Sequence, residues 1–512
     1  MTQPITHLWR LFKWGRTLAR HGALRGIEHD PLTPPNVRRL VRVARFGTRQ
    51  PEVPDYAAAL QAIGPAAIKL GQALATRPDL VGEAAAMNLL QLQDSVPPAP
   101  FAAIKAEIER ALEAPLEALY SEFDPVPVGA ASIAQVHRAK TIEGRDVAVK
   151  VLRPGVEEEF ARALETYEWA AAHVELLGGE AERLRPRLVI AHFKQWTRRE
   201  LDLQREAASA SELKENMVAE PGFYVPEIDW TRTARRVLTL EWLDGIKLSD
   251  RARLIEEGHD PAQLAAILVR AFLRQAVVDG YFHADLHQGN LFALRDGRVA
   301  AIDFGIMGRI DRRARLWLAE ILYGLITGNY RRVAEIHFEA QYVPSHHNVA
   351  EFATALRAIG EPIRGLPVKQ ISVGRMLEGL FTITRDFDMQ TQPHLLLLQK
   401  TMVMEEGVAT ALDPDINMWE TSEPFLKEWL RGELGPEAYY ADKIVDTVRA
   451  FKLIPDLIRR IDAAYPPAGA APPPPPLAEV DPNDSRPWLA GTLAALLAAG
   501  AGAAITAAVL LN

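Results

Sequence analysis

The stretches HADLHQGN at residues 283–290 and AIDFGI at residues 301–306 decide which fold this chain adopts. Asp285 stands five residues before Asn290, and Asp303 follows that asparagine after thirteen residues. The pattern predicts that Asp285 and Asn290 lie on a loop after an apolar helix over residues 270–282, and that Asp303 ends an apolar strand. The amide of Asn290 and the carboxylate of Asp303 can supply the hard oxygen ligands that Mg²⁺ accepts beside the phosphates of a substrate.

A lysine at the end of an earlier strand belongs to the same pattern. In VAVK, residues 147–150, alternation predicts that Val147 and Val149 face one side and Lys150 the other. A strand-ending lysine, Asp-x4-Asn and Asp-Phe-Gly are protein-kinase motifs, and solvated loop residues would not be expected to share their spacing. In such a site Asp285 is the catalytic aspartate, while Asn290 and Asp303 hold Mg²⁺ against the phosphates of ATP.

The acidic partner of Lys150 is expected on a helix packed against its strand. In RRELDLQREAASA, residues 198–210, Asp202 and Glu206 are four residues apart and are predicted to share one helical face. Glu206 is the predicted partner. The alternative is a surface glutamate paired with Arg199 or Arg205.

Composition and charge limit the class of protein. The 512 residues are 48% hydrophobic and 24% charged, as in globular proteins of one large domain or two. The absence of cysteine excludes disulfides and thiolate metal sites. Residues 1–50 contain ten Arg or Lys and two acidic residues, so the rest of a chain of net charge −8 carries about −16. A basic end on an acidic body indicates an anionic partner surface.

The amino-terminal segment favours a membrane over nucleic acid as that partner. In ITHLWRLFKWGRTLAR, residues 5–20, Leu8, Trp9, Leu11, Phe12 and Leu18 are predicted to lie mostly on one side of a helix, with basic residues around the rest. A basic amphipathic helix of this kind lies in the headgroup layer of a bilayer. The alternative is a helix packed on its own domain.

The carboxy-terminal segment predicts a single membrane span. Residues 488–511 are 24 residues without a charge, and a helix of that length covers about 36 Å, enough for a hydrocarbon core of about 30 Å. A proline-rich spacer, residues 464–487, precedes it. Nearby Arg and Lys predict that the body stays on the cytoplasmic side of the inner membrane. An alanine-rich helix docked on soluble protein is the alternative.

Hydrophobic periodicity predicts an α+β chain in which a small α+β lobe precedes a mostly helical lobe. Helical patterns cover residues 50–120 and 156–218, strand patterns cover 123–152, 223–230 and 235–243, and nearly everything after 260 is helical. The expected segments are 1–50, a basic membrane-surface segment; 51–122, a helical extension; 123–245, an N-lobe with inserted helices; 246–463, a helical C-lobe; 464–487, the spacer; and 488–511, the span.

Four features together resemble the UbiB family of atypical protein-kinase-like proteins, which is tied to ubiquinone biosynthesis. They are AIKLGQ at 67–72, PVGAASIAQVH at 127–137 where ordinary kinases have a glycine-rich loop, ELD at 200–202 followed by Glu206, and the two stretches quoted first. The resemblance runs from about residue 50 to about residue 420 and implies a bilobal kinase-like fold.

The resemblance also implies roles for individual residues. Lys150 would hold phosphates and pair with Glu206, Glu241 and Leu243 would contact adenine, and Lys69, Gln72 and Glu200 would belong to an element that folds over the site. The loop over the nucleotide would comprise Val128, Gly129, Ala130, Ala131, Ser132, Ala134 and Val136. Gly129 departs from the three successive alanines of relatives and frees the backbone there, so nucleotide preference is expected to differ.

The resemblance implies a membrane-associated ATP- and Mg²⁺-dependent kinase or ATPase that supports ubiquinone biosynthesis. Expected partners are membrane lipid, polyprenylphenol or quinone intermediates and other proteins of that pathway, with no nucleic acid. No long activation segment or Ala-Pro-Glu follows Asp303, which argues against an ordinary protein kinase. Two alternatives remain open: a small-molecule phosphotransferase of the aminoglycoside-kinase type, and a nucleotide-binding scaffold of a quinone-biosynthesis complex.

Overall fold

The computed structural model describes residues 3–433 except for 26–34, 49–50, 52, 76–82, 90–91, 93–95, 176–185, 362–382, 384–385 and 390–392. The predicted spacer at 464–487 and the predicted span at 488–511 lie outside the described residues. Within the described ranges, one helical stretch, Pro261–Asp279, has the length and hydropathy of a membrane span. Its Leu268 and Val269 are fully buried, as in the core helix of a folded domain.

The described chain divides into two compact units. The first falls within Met1–Ser211 and Pro226–Trp242, and the second falls within Glu212–Val225 and Leu243–Asp484. Residues 212–225, which the strand and helix patterns assign to the 123–245 segment, therefore lie with the second unit.

The first unit combines helices with one antiparallel sheet. Its helices are α1 (Gln3–Arg20), α2 (Pro35–Arg45), α3 (Tyr56–Ile63), α4 (Pro65–Ala75), α5 (Glu83–Leu89), α6 (Phe101–Leu112), α7 (Leu116–Leu119), α8 (Val156–Glu175), α9 (Pro186–Glu200) and the start of α10 (Leu203–Asn216). Its strands are β1 (Tyr120–Phe123), β2 (Gly129–Ala130), β3 (Ala134–Thr141), β4 (Asp146–Leu152) and β6 (Val237–Glu241), in the order β1-β3-β4-β6 with β2 on β3.

Both faces of the sheet are buried, because successive side chains of β4 pack into two different hydrophobic clusters. Val147, Val149 and Val151 lie in one cluster with Ile104 and Ile108 of α6. Ala148 and Leu152 lie in the other, which also holds residues of α1, α4 and α8. Lys150 therefore projects on the same side as Ala148, as the alternation of VAVK predicts.

Helix α1 packs on the first unit and also exposes apolar side chains. Leu11, Trp14 and Leu18 are buried in the helical cluster, while Trp9 is 66% exposed and Phe12 is 37% exposed. The prediction of a single apolar side was wrong, because Leu11 and Leu18 face the domain and Trp9 and Phe12 face solvent.

The second unit is mostly helical. Its strands are β5 (Phe223–Tyr224), β7 (Gly245–Lys247), β8 (Tyr281–His283), β9 (Leu291–Leu294), β10 (Val299–Ala301) and β11 (Met307–Arg309). Its helices are the end of α10, then α11 (Arg251–Glu256), α12 (Pro261–Leu273), α13 (Arg312–Thr327), α14 (Tyr330–Glu339), α15 (Val349–Gly360), α16 (Pro393–Leu412) and α17 (Met418–Glu433).

Short strands and a helical core position the loops of this unit. The strands form a four-stranded sheet, β5-β10-β9-β7, and a two-stranded sheet, β11-β8. Helix α12 packs against α16 and α17 and continues as a π-helical turn over Arg274–Asp279. The helix predicted over 270–282 is therefore wrong at its end, because residues 281–283 form strand β8, whose backbone pairs with β11.

Candidate functional site

Lys150 and Glu206 form an ion pair within the first unit. The Lys150 Nζ lies 2.7 Å from Glu206 Oε1, and the two side chains are 15% and 7% exposed. Lys150 stands opposite Val136 on β3 and Leu238 on β6, so ladders on both sides hold its strand. Glu206 lies in α10, whose Leu203 and Ala207 are buried in the cluster that also holds Ala148. Packing of α10 on the sheet thus brings the carboxylate to the ammonium.

Asp202 does not share a helix with Glu206, and the prediction that both lie on one helical face was wrong. Helix α9 ends at Glu200 and α10 begins at Leu203, where the Leu203 amide donates to the carbonyl of Arg235. Asp202 stands before α10, and its Oδ1 accepts from the amide of Arg205 at 3.3 Å. The ELD segment is thus a junction between two helices.

The loop predicted to cover the nucleotide, within residues 127–137, is a tight hairpin between β2 and β3. Gly129 and Ala130 pair with Val136 and Gln135, and the Ala131 amide donates to the carbonyl of Ala134 at 2.8 Å. Val128 is 56% exposed before the turn. A Cβ built on Gly129 meets no atom within 4 Å, so this hairpin does not need a glycine for steric reasons.

Ser132 is a buried polar residue of that hairpin. Its side chain is fully buried, and its hydroxyl has no hydrogen-bond partner in the described part of the chain. A buried hydroxyl without a partner costs roughly 1–3 kcal/mol.

Lys69 and Glu200 form a second ion pair, also in the first unit. The Lys69 Nζ lies 2.5 Å from Glu200 Oε1, and the side chains are 9% and 10% exposed. Both charged groups of this pair are therefore largely shielded from solvent. Gln72, one helical turn further along α4, is half-buried. A Cβ on Gly71 would meet Leu60 and Leu92 at 2.5 Å, so the glycine allows α4 to approach α3 closely.

A β-hairpin brings Asn290 and Asp303 together in the second unit. Leu291 pairs with Ala301 at the end of β9 and β10, and the Ile302 amide donates to the carbonyl of Asn290 at 3.1 Å. Asn290 Nδ2 donates to the carbonyl of Asp285 at 3.3 Å, which ties the asparagine to the loop of the predicted catalytic aspartate. The carboxylate of Asp303 accepts from the amide of Gly305 at 3.0 Å.

His283 connects the two aspartate loops. Its Nδ1 accepts from the backbone amide of Asp285 at 3.1 Å, and its Nε2 contacts the carbonyl oxygen of Asp303. Burial lowers the pKa of His283, so the imidazole is neutral and its proton lies on Nε2, which donates to the carbonyl. The ring thereby fixes the backbone of both aspartates.

Lys400 of α16 reaches the predicted catalytic aspartate, and sequence reasoning missed it. Its Nζ lies 3.2 Å from Asp285 Oδ1, with 26% of the lysine side chain and 30% of the aspartate side chain exposed. The segment LLLLQK at 395–400 contains a single charged residue after an apolar run, and that is the only local signal. The separation of 115 residues hides the contact.

Glu241 and Leu243, the predicted adenine-contacting residues, lie at the end of the sheet and just after it. Glu241 is the last residue of β6, and its amide donates to the carbonyl of Glu227 at 2.8 Å. Its side chain accepts from the amide of Glu227 at 3.2 Å. Leu243 is half-buried just beyond it.

Comparisons with known families agree with this geometry. The ABC1 atypical kinase-like domain matches residues 91–337, and the UbiB helical domain matches residues 356–417. The fold and the motif-bearing loops thus define an atypical kinase-like protein of the α+β class. The chain belongs to the UbiB family, as the four features of its sequence indicate.

Individual relatives support the same assignment. The chain is 42% identical over 382 residues to the probable protein kinase UbiB of Marinobacter nauticus, covering 74% of this chain and 70% of the relative. It also resembles a solved structure, described as the complex of Rv3197 with erythromycin from Mycobacterium tuberculosis, at 25% identity and a TM-score of 0.50. That likeness covers 71% of this chain and 93% of the other, and it supports the kinase-like fold.

Proposed function

We propose that this UbiB-type protein is a membrane-associated, ATP- and Mg²⁺-dependent kinase or ATPase that supports ubiquinone biosynthesis. The hydrogen-bonded arrangement of Asp285, Asn290 and Asp303 around His283 carries the proposal. Hydrogen bonds join the backbone segments that carry the catalytic aspartate and the two oxygen ligands of the kinase pattern. The pathway is suggested by membership of the UbiB family.

Asn290 and Asp303 offer the kind of ligand atoms that a magnesium ion binds. Because Asn290 uses its amide nitrogen toward Asp285, its Oδ1 is the atom left for a cation, and Asp303 offers a carboxylate oxygen. Two hard oxygen donors, with phosphate and water completing the shell, are what Mg²⁺ prefers. Bound magnesium would neutralise charge on the phosphates.

The chain's own residues would divide the remaining work. Lys150, oriented by Glu206, would bind phosphate oxygens, and the hydroxyl of Ser132 lies in the hairpin assigned to cover them. Asp285 would accept the proton of the attacking hydroxyl or water, with its carboxylate oriented by Lys400. Alignment and charge stabilisation of this kind are the main needs of phosphoryl transfer.

Turnover with matched variants tests the nucleotide chemistry. The purified protein is expected to hydrolyse ATP slowly, and Asp303→Asn is expected to abolish hydrolysis while leaving the circular dichroism spectrum unchanged. Asp296→Asn, an exposed aspartate on the turn of the same hairpin, serves as the control and should retain turnover. Full turnover in Asp303→Asn would contradict the proposed metal role, and nucleotide binding without turnover by the unaltered protein would favour the scaffold.

Gene deletion tests the pathway. If the protein supports ubiquinone biosynthesis, cells without it accumulate polyprenylphenol intermediates and lose quinone, and a copy carrying Asp303→Asn does not restore them. Normal quinone content in the deletion strain would show that the pathway does not require this protein.

Exposed apolar residues on α1 support membrane association. Ile5, Trp9 and Phe12 are exposed, as are Lys13 and Arg20 of the same helix, and this combination suits the headgroup region of an anionic bilayer. The catalytic body would lie on the cytoplasmic face of the inner membrane, and residues 488–511 would supply the proposed single-pass anchor.

Vesicle flotation tests the role of α1 in a chain truncated before residue 464. Binding to anionic phospholipid vesicles is expected to fall with Trp9→Ser and Phe12→Ser, and to remain with Trp230→Ser, which changes a tryptophan 48% exposed elsewhere in the first unit. Equal binding by all three variants would contradict a membrane role for this helix.

A further inference from the structure

Three metal-ligating side chains meet in the second unit, and the proposed phosphoryl chemistry uses none of them. They are His346 and His347, on the connection between α14 and α15, and Asp388, shortly before α16. The Nε2 atoms of His347 and His346 lie 3.2 Å and 3.6 Å from Asp388 Oδ2. One donor atom from each of the three residues can be chosen so that all lie within 4.8 Å of one another.

These separations suit a common metal ion. Zinc binds imidazole nitrogen and carboxylate oxygen at about 2.0–2.2 Å, so tetrahedral ligand atoms lie roughly 3.3–3.5 Å apart. The two histidine-to-aspartate distances fall on either side of that range. The His346 side chain is 65% exposed, so its ring has room to rotate and complete the geometry without a backbone change.

The backbone around the three ligands is held by the core of the unit. Phe387, next to Asp388, packs its ring 4.9 Å from that of Phe352 and 5.3 Å from that of His347. Asn348, next to His347, caps α15 by accepting from the amide of Ala350 at 2.7 Å. These contacts hold the donors close together in advance, and such preorganisation lowers the cost of binding.

A simple surface ion pair does not account for all three residues. One histidine is sufficient to pair with an exposed carboxylate, yet both imidazole Nε2 atoms approach the same oxygen of Asp388. The two rings are also adjacent, with centroids 4.1 Å apart. A metal ion coordinated by two neutral imidazoles and a carboxylate accounts for the convergence of all three side chains.

We propose that His346, His347 and Asp388 form a zinc-binding site, with water as the fourth ligand. Imidazole nitrogen favours zinc over Mg²⁺, which prefers oxygen ligands, so the magnesium of the phosphoryl site does not compete. The ion would link the segment between α14 and α15 to the turn before α16. Binding would stabilise the fold, because an ion held by both segments adds its binding free energy to that of folding.

Metal titration of the full chain tests the proposal. Protein freed of its purification tag and stripped with a chelator is titrated with zinc chloride against a chromophoric competitor, in excess Mg²⁺. We expect one equivalent to bind, cobalt chloride to give the visible absorption of a tetrahedral site, and the thermal midpoint to rise. Failure of zinc to bind, or a midpoint unchanged by bound zinc, would overturn the proposal.

Variants separate this site from the other histidines of the chain. Asp388→Asn and His346→Gln are each expected to weaken zinc binding by about 100-fold or more and to abolish the zinc-dependent rise in thermal midpoint. His259→Ala removes a half-buried histidine elsewhere in the same unit and should bind zinc like the unaltered chain. If one variant does not fold, the other decides. Zinc binding retained in the folded variants would refute the site.

Discussion

The ammonium group of Lys400 lies 3.2 Å from Oδ1 of Asp285, which joins a residue of the UbiB helical domain to the predicted catalytic aspartate. Both residues belong to the second unit, so the contact is internal to it. A cation at this distance orients the carboxylate and offsets its charge.

Replacing this lysine is expected to slow catalysis more than binding. Lys400→Met should lower ATP turnover by about 10–100-fold, because a misplaced general base loses most of its contribution, and should leave the nucleotide Kd within about twofold. Lys400→Arg, which keeps the charge, should restore part of the rate. Lys427→Met, an exposed lysine on α17, is the control. A faster rate in Lys400→Met would show that the lysine restrains Asp285.

The pair between Lys69 and Glu200 should be strongly coupled in a double-mutant cycle. Its side chains are 9% and 10% exposed, so Lys69→Met or Glu200→Gln leaves a nearly buried charge and should lower the free energy of unfolding by about 3–5 kcal/mol. The double variant should lose clearly less than the sum of the two, as measured by urea unfolding.

A more exposed pair provides the control for that cycle. Lys194 and Glu168 are 2.6 Å apart but 33% and 43% exposed, and their coupling should stay below about 1 kcal/mol. Equal coupling energies for the two pairs would mean that burial does not set the strength of the Lys69 interaction.

Gly129→Ala should leave the fold intact. A Cβ at this position meets no atom within 4 Å. Because alanine lowers the conformational entropy of the unfolded chain, the free energy of unfolding should rise by about 0.4–1 kcal/mol. Gly280→Ala should be destabilising, because Gly280 has φ +63° and its Cβ would lie 2.4 Å from the carbonyl oxygen of Ile310. Thermal unfolding of both variants checks this, and the opposite ranking would contradict the hairpin geometry.

Glu405 should make stability depend on pH. Its side chain is fully buried, its carboxylate oxygens have no hydrogen-bond partner among the residues that the structure covers, and burial raises its pKa well above the usual value of 4.5. The folded chain therefore holds this proton more tightly than the unfolded chain does. Its stabilising effect is complete below pH 4.5 and declines as the pH rises toward the folded-state pKa.

Glu405→Gln should remove that decline. The difference in the free energy of unfolding between variant and unaltered protein should shift in favour of Gln as the pH rises from 5 to 8. Glu428→Gln, on the exposed side of α17, provides the comparison. Urea unfolding across this range that shows parallel curves for Glu405→Gln and the unaltered protein would refute the expected linkage.

Local patterns could predict the elements that carry most of the proposed site. The strand of Lys150 alternates because its two faces pack on different clusters, and this alternation is visible in VAVK. The hairpin that holds Asn290 and Asp303 has two apolar segments around the turn residues Asp296 and Gly297. Each of these features depends on neighbours that are close in the chain.

Features set by distant contacts could not be predicted in this way. The helix break at residues 201–202 depends on a hydrogen bond from Leu203 to Arg235, although helical periodicity continues through the break. The two apolar sides of α1 become distinct only when Leu11 packs on the first unit. Lys400 reaches Asp285 across 115 residues, and short-range spacing carries no information about such a contact.

Calorimetric titration of the protein with ATP in the presence and absence of Mg²⁺ tests the central claim most directly. Binding heat should require magnesium, and Asp303→Asn and Lys150→Met should each remove it, while the control Asp296→Asn should bind like the unaltered protein. Magnesium-independent binding, or binding retained in both Asp303→Asn and Lys150→Met, would contradict the assignment of these residues to a magnesium–nucleotide site.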